Sequence, residues 1–141
     1  MSAQLLFWLL AAPDGHAKNF SLFIEPQGRF RLTPLYDVIS AWPAIGKGAR
    51  QFSWQKMKLA MALRSKNTHY RMAEIRRRHW NAVAKKNALG LDFEAVIQRC
   101  IKATPQAIAT VNAQLPRGFP VQVSEKILEG LAGQVRRLQS G

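Results

Sequence analysis

The sequence predicts an α+β fold, mostly helical, with one small β-hairpin near its start. Three observations carry that reading. From Lys66 onward, apolar residues recur at steps of three and four, the period of an amphipathic helix. Earlier, the apolar run FSLFI and the alternating run RFRLT flank EPQG, whose Pro26 and Gly28 signal the turn of a hairpin. The 141 residues are 48% hydrophobic, with four Trp and seven Phe, enough to bury one core. No repeat, low-complexity tract or linker marks a second unit, so residues 1–141 read as a single domain.

The elements follow in order. Residues Ala3 to Ala12, AQLLFWLLAA, are apolar nearly all round, as in a buried helix. The segment falls short of the roughly 20 residues that cross a bilayer. It also lacks the basic flank of a signal peptide, so no membrane partner is expected. It delivers the chain into Pro13, Asp14 and Gly15, residues that favour a tight turn. Beyond the hairpin, VISAWPAIG reads as a short helical turn stopped by Pro43 and Gly46, with Trp42 in the core. Lys47 to Ser53 is a loop. SWQKMKLAMAL, Ser53 to Leu63, fits a strand or a helix, and its Met57 and Met61 suit gaps in a core.

The remainder is expected to be all helical. Tyr70 to Leu89 would turn Met72, Ile75, His79, Trp80 and Val83 inward and Arg71, Arg76, Arg77, Lys85 and Lys86 outward. Gly90 closes that helix and Asp92 caps the next, along which Phe93, Val96, Ile97, Cys100 and Ile101 repeat. Thr104 and Pro105 form a fresh start signal, with Ile108, Val111 and Leu115 facing in. LPRGFP breaks the chain before a last helix. Its inward residues are Val123, Ile127, Leu131, Val135 and Leu138, and Arg136 and Arg137 oppose the negative end of its dipole.

The net charge of +13 favours nucleic acid, acidic proteins or phosphates as partners. Between Lys56 and Lys86 ten Lys and Arg stand against one acid, Glu74. Such a run is either a solvated face or a phosphate-contacting surface, in which Arg76, Arg77 and Arg78 would meet nucleic acid. A single cysteine, Cys100, excludes an internal disulfide and fits a cytoplasmic location. His79 has no second ligand at metal spacing and reads as a packed core residue.

The chemistry concentrates between Asp14 and Asp37. Asp14 and Asn19 are five apart and Asp37 follows after the hairpin, which returns the chain to where it left. A carboxylate within reach of a hydroxyl can take its proton, and hard Mg²⁺ prefers oxygens such as those of Asn and Asp. The order acid, amide and second acid, with that first spacing, is the order of a kinase catalytic loop. Each residue alone is also an ordinary turn former.

DGHAKNFSLF followed by RLTPLYDVISAWP resembles the C-terminal lobe of the HipA family, the toxin kinases of type II toxin–antitoxin modules, from about Leu5 to about Leu138. The resemblance implies a phosphoinositide-kinase-like catalytic lobe, and ATP- and Mg²⁺-dependent phosphorylation of Ser or Thr in a protein such as glutamyl-tRNA synthetase. Asp14 matches the catalytic base, Asn19 and Asp37 the magnesium ligands, and His16 and Lys18 positions near the nucleotide phosphates. Pro13 departs from the small polar residue found in many relatives. Further expectations follow for partners: a HipB-like antitoxin, operator DNA, or a separately encoded N-terminal lobe. Only thirteen residues precede Asp14, and they contain no phosphate-binding loop or nucleotide-gripping lysine. The isolated chain is therefore expected to be inactive, and the rival expectation is a non-enzymatic relative that binds a protein or DNA.

Overall fold

The apolar N-terminal segment forms helix α1, Ser2–Leu9, in a computed structural model that describes residues 1–89 and 93–140. Leu5, Phe7, Trp8 and Leu9 are buried, as the near-continuous apolar sequence requires. A buried helix must also satisfy its polar atoms. Trp8 Nε1 donates to Met72 O at 2.9 Å, and Gln4 and Gln134 donate to Met61 O and Trp8 O. Side chains from Leu5 to Leu138 join one cluster around this helix, so the last helix of the chain closes over the first.

The first hairpin is the expected one. Strand β1, Leu22–Ile24, pairs antiparallel with β2, Phe30–Leu32, matching Leu22 to Leu32 and Ile24 to Phe30. Its turn carries two residues at positive φ, Gln27 at 64° and Gly28 at 73°, the second at little steric cost. Downstream, Trp42–Ala44 is the short helical turn read from VISAWPAIG, in 3-10 form. Trp42 stacks on Trp54 at 4.9 Å and lies against the core.

A second hairpin corrects the all-helical expectation for the chain after Lys66. Trp54–Lys56 is a 3-10 turn, and the ambiguous stretch becomes strand β3, Lys58–Arg64, paired antiparallel with β4, Thr68–Arg71. The expected helix of Tyr70 to Leu89 therefore starts later, as α2, Arg77–Lys86, after a 3-10 turn at Met72–Glu74. The inward residues Met72, Ile75, Trp80 and Val83 are nevertheless buried. Apolar steps of three and four are satisfied equally by a strand end, a turn and a helix in succession. The β-forming Thr68 and Tyr70 gain backbone partners by pairing with β3.

Helix α3, Phe93–Gln114, runs through Thr104 and Pro105, where a new start was expected. Proline removes one backbone donor from the ladder. One turn earlier, Thr104 Oγ1 donates to Cys100 O at 2.7 Å, so the hydroxyl serves the helix already running rather than capping a new one. Gly90 and Asp92, read as stop and cap, lie outside the described residues. Helix α4, Val121–Gln139, starts after Pro120 as expected, with Val135 and Leu138 buried and Leu131 packed against the core. The fold is thus α+β: helices with two small antiparallel sheets. No helix among the described residues is long and apolar enough to cross a membrane.

Candidate active site

The chain leaves α1 through Ala11, whose φ of 49° turns it sharply toward Pro13. The Ala60 amide donates to Pro13 O at 2.9 Å and ties this loop to β3. Gly15 then lies directly on Phe7, and a Cβ there would overlap the ring. That close approach is available only to glycine. With the turn seated inward at Gly15, Asp14 projects outward, its side chain 87% exposed. Its Oδ1 lies 4.0 Å from His16 Nε2, while the other ring nitrogen of His16, Nδ1, is buried with no hydrogen-bond partner among the described residues.

Ala17–Asn19 forms a single 3-10 turn that carries Asn19 inward until it is 4% exposed. Its Oδ1 accepts the His16 backbone N–H at 2.9 Å, and its Nδ2 donates to Asp37 Oδ2 at 3.1 Å. The hairpin therefore returns Asp37 to Asn19 across 18 residues. Asp37 has φ 56°, in the left-handed region that Asp tolerates better than most side chains. Beyond it the chain is pinned to the end of α1. Ser40 Oγ donates to Leu10 O at 2.6 Å, the Ala41 amide to Ala11 O at 2.9 Å, and Trp42 Nε1 to Leu9 O at 3.2 Å.

The structure thus joins Asn19 to Asp37 and sets Asp14 beside His16. Lys18 is exposed, and its carbonyl oxygen accepts a hydrogen bond from the Tyr36 hydroxyl at 2.9 Å. Asp37 Oδ1 and the second lone pair of Asn19 Oδ1 are uncommitted among the described hydrogen bonds. This donor set of one carboxylate and one amide fits Mg²⁺, which takes one or two protein carboxylates and completes its shell with water and phosphate oxygens. No group of three or more His, Cys, Asp or Glu that could hold a metal occurs among the described residues.

The basic run is less open than its sequence suggests. Arg77 pairs with Glu94 and donates to Leu138 O, joining α2 to α3 and α4. Arg76 folds back onto Ala73 O and Ile75 O, so of the triplet Arg78 alone is exposed. His79 packs inward: its Nδ1 accepts the Arg76 backbone N–H at 3.1 Å, and its ring stacks on His69 at 3.9 Å. Burial, then the charges of His69, Arg78 and Arg76, push its pKa down. Burial pushes the Cys100 thiol up against the pull of Arg99, the opposite of what a nucleophile needs.

Sequence reasoning missed the polar side chains that hold the site together, Ser21, Tyr36 and Ser40. Their only sequence signal is position, since Tyr36 adjoins Asp37 and Ser40 follows three later.

A family model, the HipA-like C-terminal domain, matches residues 1–108. The chain belongs to this family. The match takes in the whole of the Asp14 to Asp37 stretch, both hairpins and α2, and ends within α3. Helix α4 of this HipA-like chain lies beyond the matched residues yet contributes Val135 and Leu138 to the same core. Membership carries with it a toxin–antitoxin context.

Proposed function

We propose that this HipA-like chain is the C-terminal catalytic lobe of a serine/threonine protein kinase. It would transfer the γ-phosphoryl group of ATP to a protein such as glutamyl-tRNA synthetase. The observation that carries the reading is the 3.1 Å contact between Asn19 Nδ2 and Asp37 Oδ2. Through its N–H the Asn19 amide rests against the Asp37 carboxylate, and these are the two side chains that would hold one divalent ion. When bound, Mg²⁺ supplies charge neutralisation to the phosphates. Asp14, exposed and 4.0 Å from His16 Nε2, serves as base. The substrate hydroxyl oxygen forms the new bond to phosphorus, its proton passes to Asp14, and the bond to ADP breaks. His16 and Lys18 would meet the phosphates of the incoming nucleotide.

Kinase catalysis is largely positioning of bound nucleotide. These 141 residues hold neither a phosphate-binding loop nor the lysine that grips ATP, so the chain alone is expected to turn over little. Binding is the test. Calorimetric titration with Mg²⁺ and ATP is expected to show metal-dependent binding that Asp37→Ala abolishes. Equal binding by wild type and Asp37→Ala, or robust phosphorylation by the chain alone that survives Asp14→Asn, would contradict the assignment.

A second reading, a binding module, is favoured by the first hairpin. Ile24 is 89% and Phe30 70% exposed, beside exposed Leu22 and Leu32 on the same hairpin. A contiguous apolar surface of this kind suits a protein partner, either an antitoxin-like protein or a separate N-terminal lobe. DNA is the poorer fit, since Arg76 and Arg77 are engaged within the fold. Salt-sensitive DNA binding lost on Arg78→Glu would restore it.

A further inference from the structure

We propose that the Tyr36 hydroxyl is the clasp that sets the separation of Asn19 and Asp37. This positioning role rests on the metal-site reading above. Tyr36 OH donates to Lys18 O at 2.9 Å, and Ser21 Oγ lies 2.8 Å from the same hydroxyl. With the Tyr36 proton committed to Lys18, Ser21 is the donor of the second bond. One hydroxyl therefore ties Lys18, within the 3-10 turn that holds Asn19, and Ser21, just after it, to the returning chain.

The register explains why this matters. Lys18 precedes Asn19 and Tyr36 precedes Asp37, so the 18-to-36 and 19-to-37 bonds are adjacent rungs, each spanning 18 residues. Regular pairing does not reach this far. The last hairpin bond is from the Thr33 amide to Ser21 O, and the next long-range main-chain bond of the returning chain is from Ala41 to Ala11 O. Between them, residues 34–40 have no helix or strand, and Asp37 sits at φ 56°, a conformation that persists only when its surroundings enforce it. Beyond the local bond from Thr33 Oγ1 to Pro34 O, the described side-chain bonds that hold this segment come from Tyr36, Asp37 and Ser40, and of these Tyr36 alone acts from outside the ligand pair on the Asn19 turn.

Tyr36→Phe keeps the ring and removes the clasp; Ser21→Ala removes one of its two bonds. Two readouts on the full chain test the role. Without metal, solvent exchange of the Asn19 side-chain amide, followed by NMR, reports the rung itself. With Mn²⁺ as the probe, spin-resonance titration reports the ligand geometry. Tyr36→Phe is expected to speed the exchange and weaken Mn²⁺ binding by about fivefold to tenfold, the worth of one ordinary hydrogen bond. Ser21→Ala should fall between, and the melting temperatures should stay together. Unchanged exchange and Mn²⁺ affinity in Tyr36→Phe overturn the proposal, as does a loss of affinity that only follows a loss of stability. A wild-type chain that binds no Mn²⁺ sinks the metal-site reading instead, and the exchange rates then decide the clasp by themselves.

Discussion

Gly15 shows how one residue fixes the site. Its backbone rests on Phe7, so Gly15→Ala must displace either the ring or the loop. Overpacking of this kind costs about 1–3 kcal/mol, and urea denaturation should find a loss in that range. The spacing of Asp14, Asn19 and Asp37 was legible in the sequence because each carries a distinctive group. Tyr36 was not, because a tyrosine beside an acid has no signature until its hydroxyl is seen between Lys18 O and Ser21. His79, expected in the core, is half-buried and stacked on His69, and its acceptor role has no signal in the sequence. Its Nδ1 takes the Arg76 N–H, so protonation removes the acceptor and adds a charge beside His69, Arg76 and Arg78. The folded pKa is depressed, so the stability from neutral His79 is present above the unfolded value of about 6.5 and is lost as pH falls below it. Thermal melts from pH 8 to pH 5 should show this acid-side loss, and His79→Gln should reduce it.

At the scale of elements, the first hairpin and α4 were legible because turn and cap residues punctuate them. The β3–β4 hairpin was not. Its strands lack strict alternation, a register shift interrupts their pairing between Lys58 and Leu63, and the apolar steps that follow mimic a helix. Helix α3 misled in the opposite direction. Thr104 and Pro105 are a start signal by sequence, yet packing of Phe93 and Ile97 on one side and contact with α4 on the other keep one helix continuous. Tertiary contacts there override a local penalty that reaches about 3 kcal/mol for an interior proline. Pro105→Ala is therefore expected to stabilise the chain by about 1 kcal/mol or more, read as a higher urea midpoint with an unchanged slope. A lower midpoint would mean that the proline itself supports the packing.

Over the whole molecule, the order of elements explains why distant residues share one site. Helix α1 packs Leu5, Phe7, Trp8 and Leu9 into the core and leaves Leu6 exposed, and both ends of the Asp14 to Trp42 excursion are fastened near its C-terminus, through Ala12 to Gly15 on one side and Leu9 to Ala11 on the other. The hairpin between them is free to stand out, and its exposed Ile24 and Phe30 follow from that placement. The +13 charge, by contrast, is legible in the sequence as a total and as a basic run from Lys56 to Lys86, but not as a surface. Its distribution depends on which arginines find partners inside, as Arg77 does with Glu94. On the proposal that Asn19 and Asp37 hold one magnesium ion between them, the decisive measurement is NMR of the Asn19 side-chain amide during Mg²⁺ titration. A saturable shift of that resonance is expected in the wild-type chain and none in Asp37→Ala. A resonance that stays still in the wild type at millimolar Mg²⁺, or that shifts equally in Asp37→Ala, would contradict it.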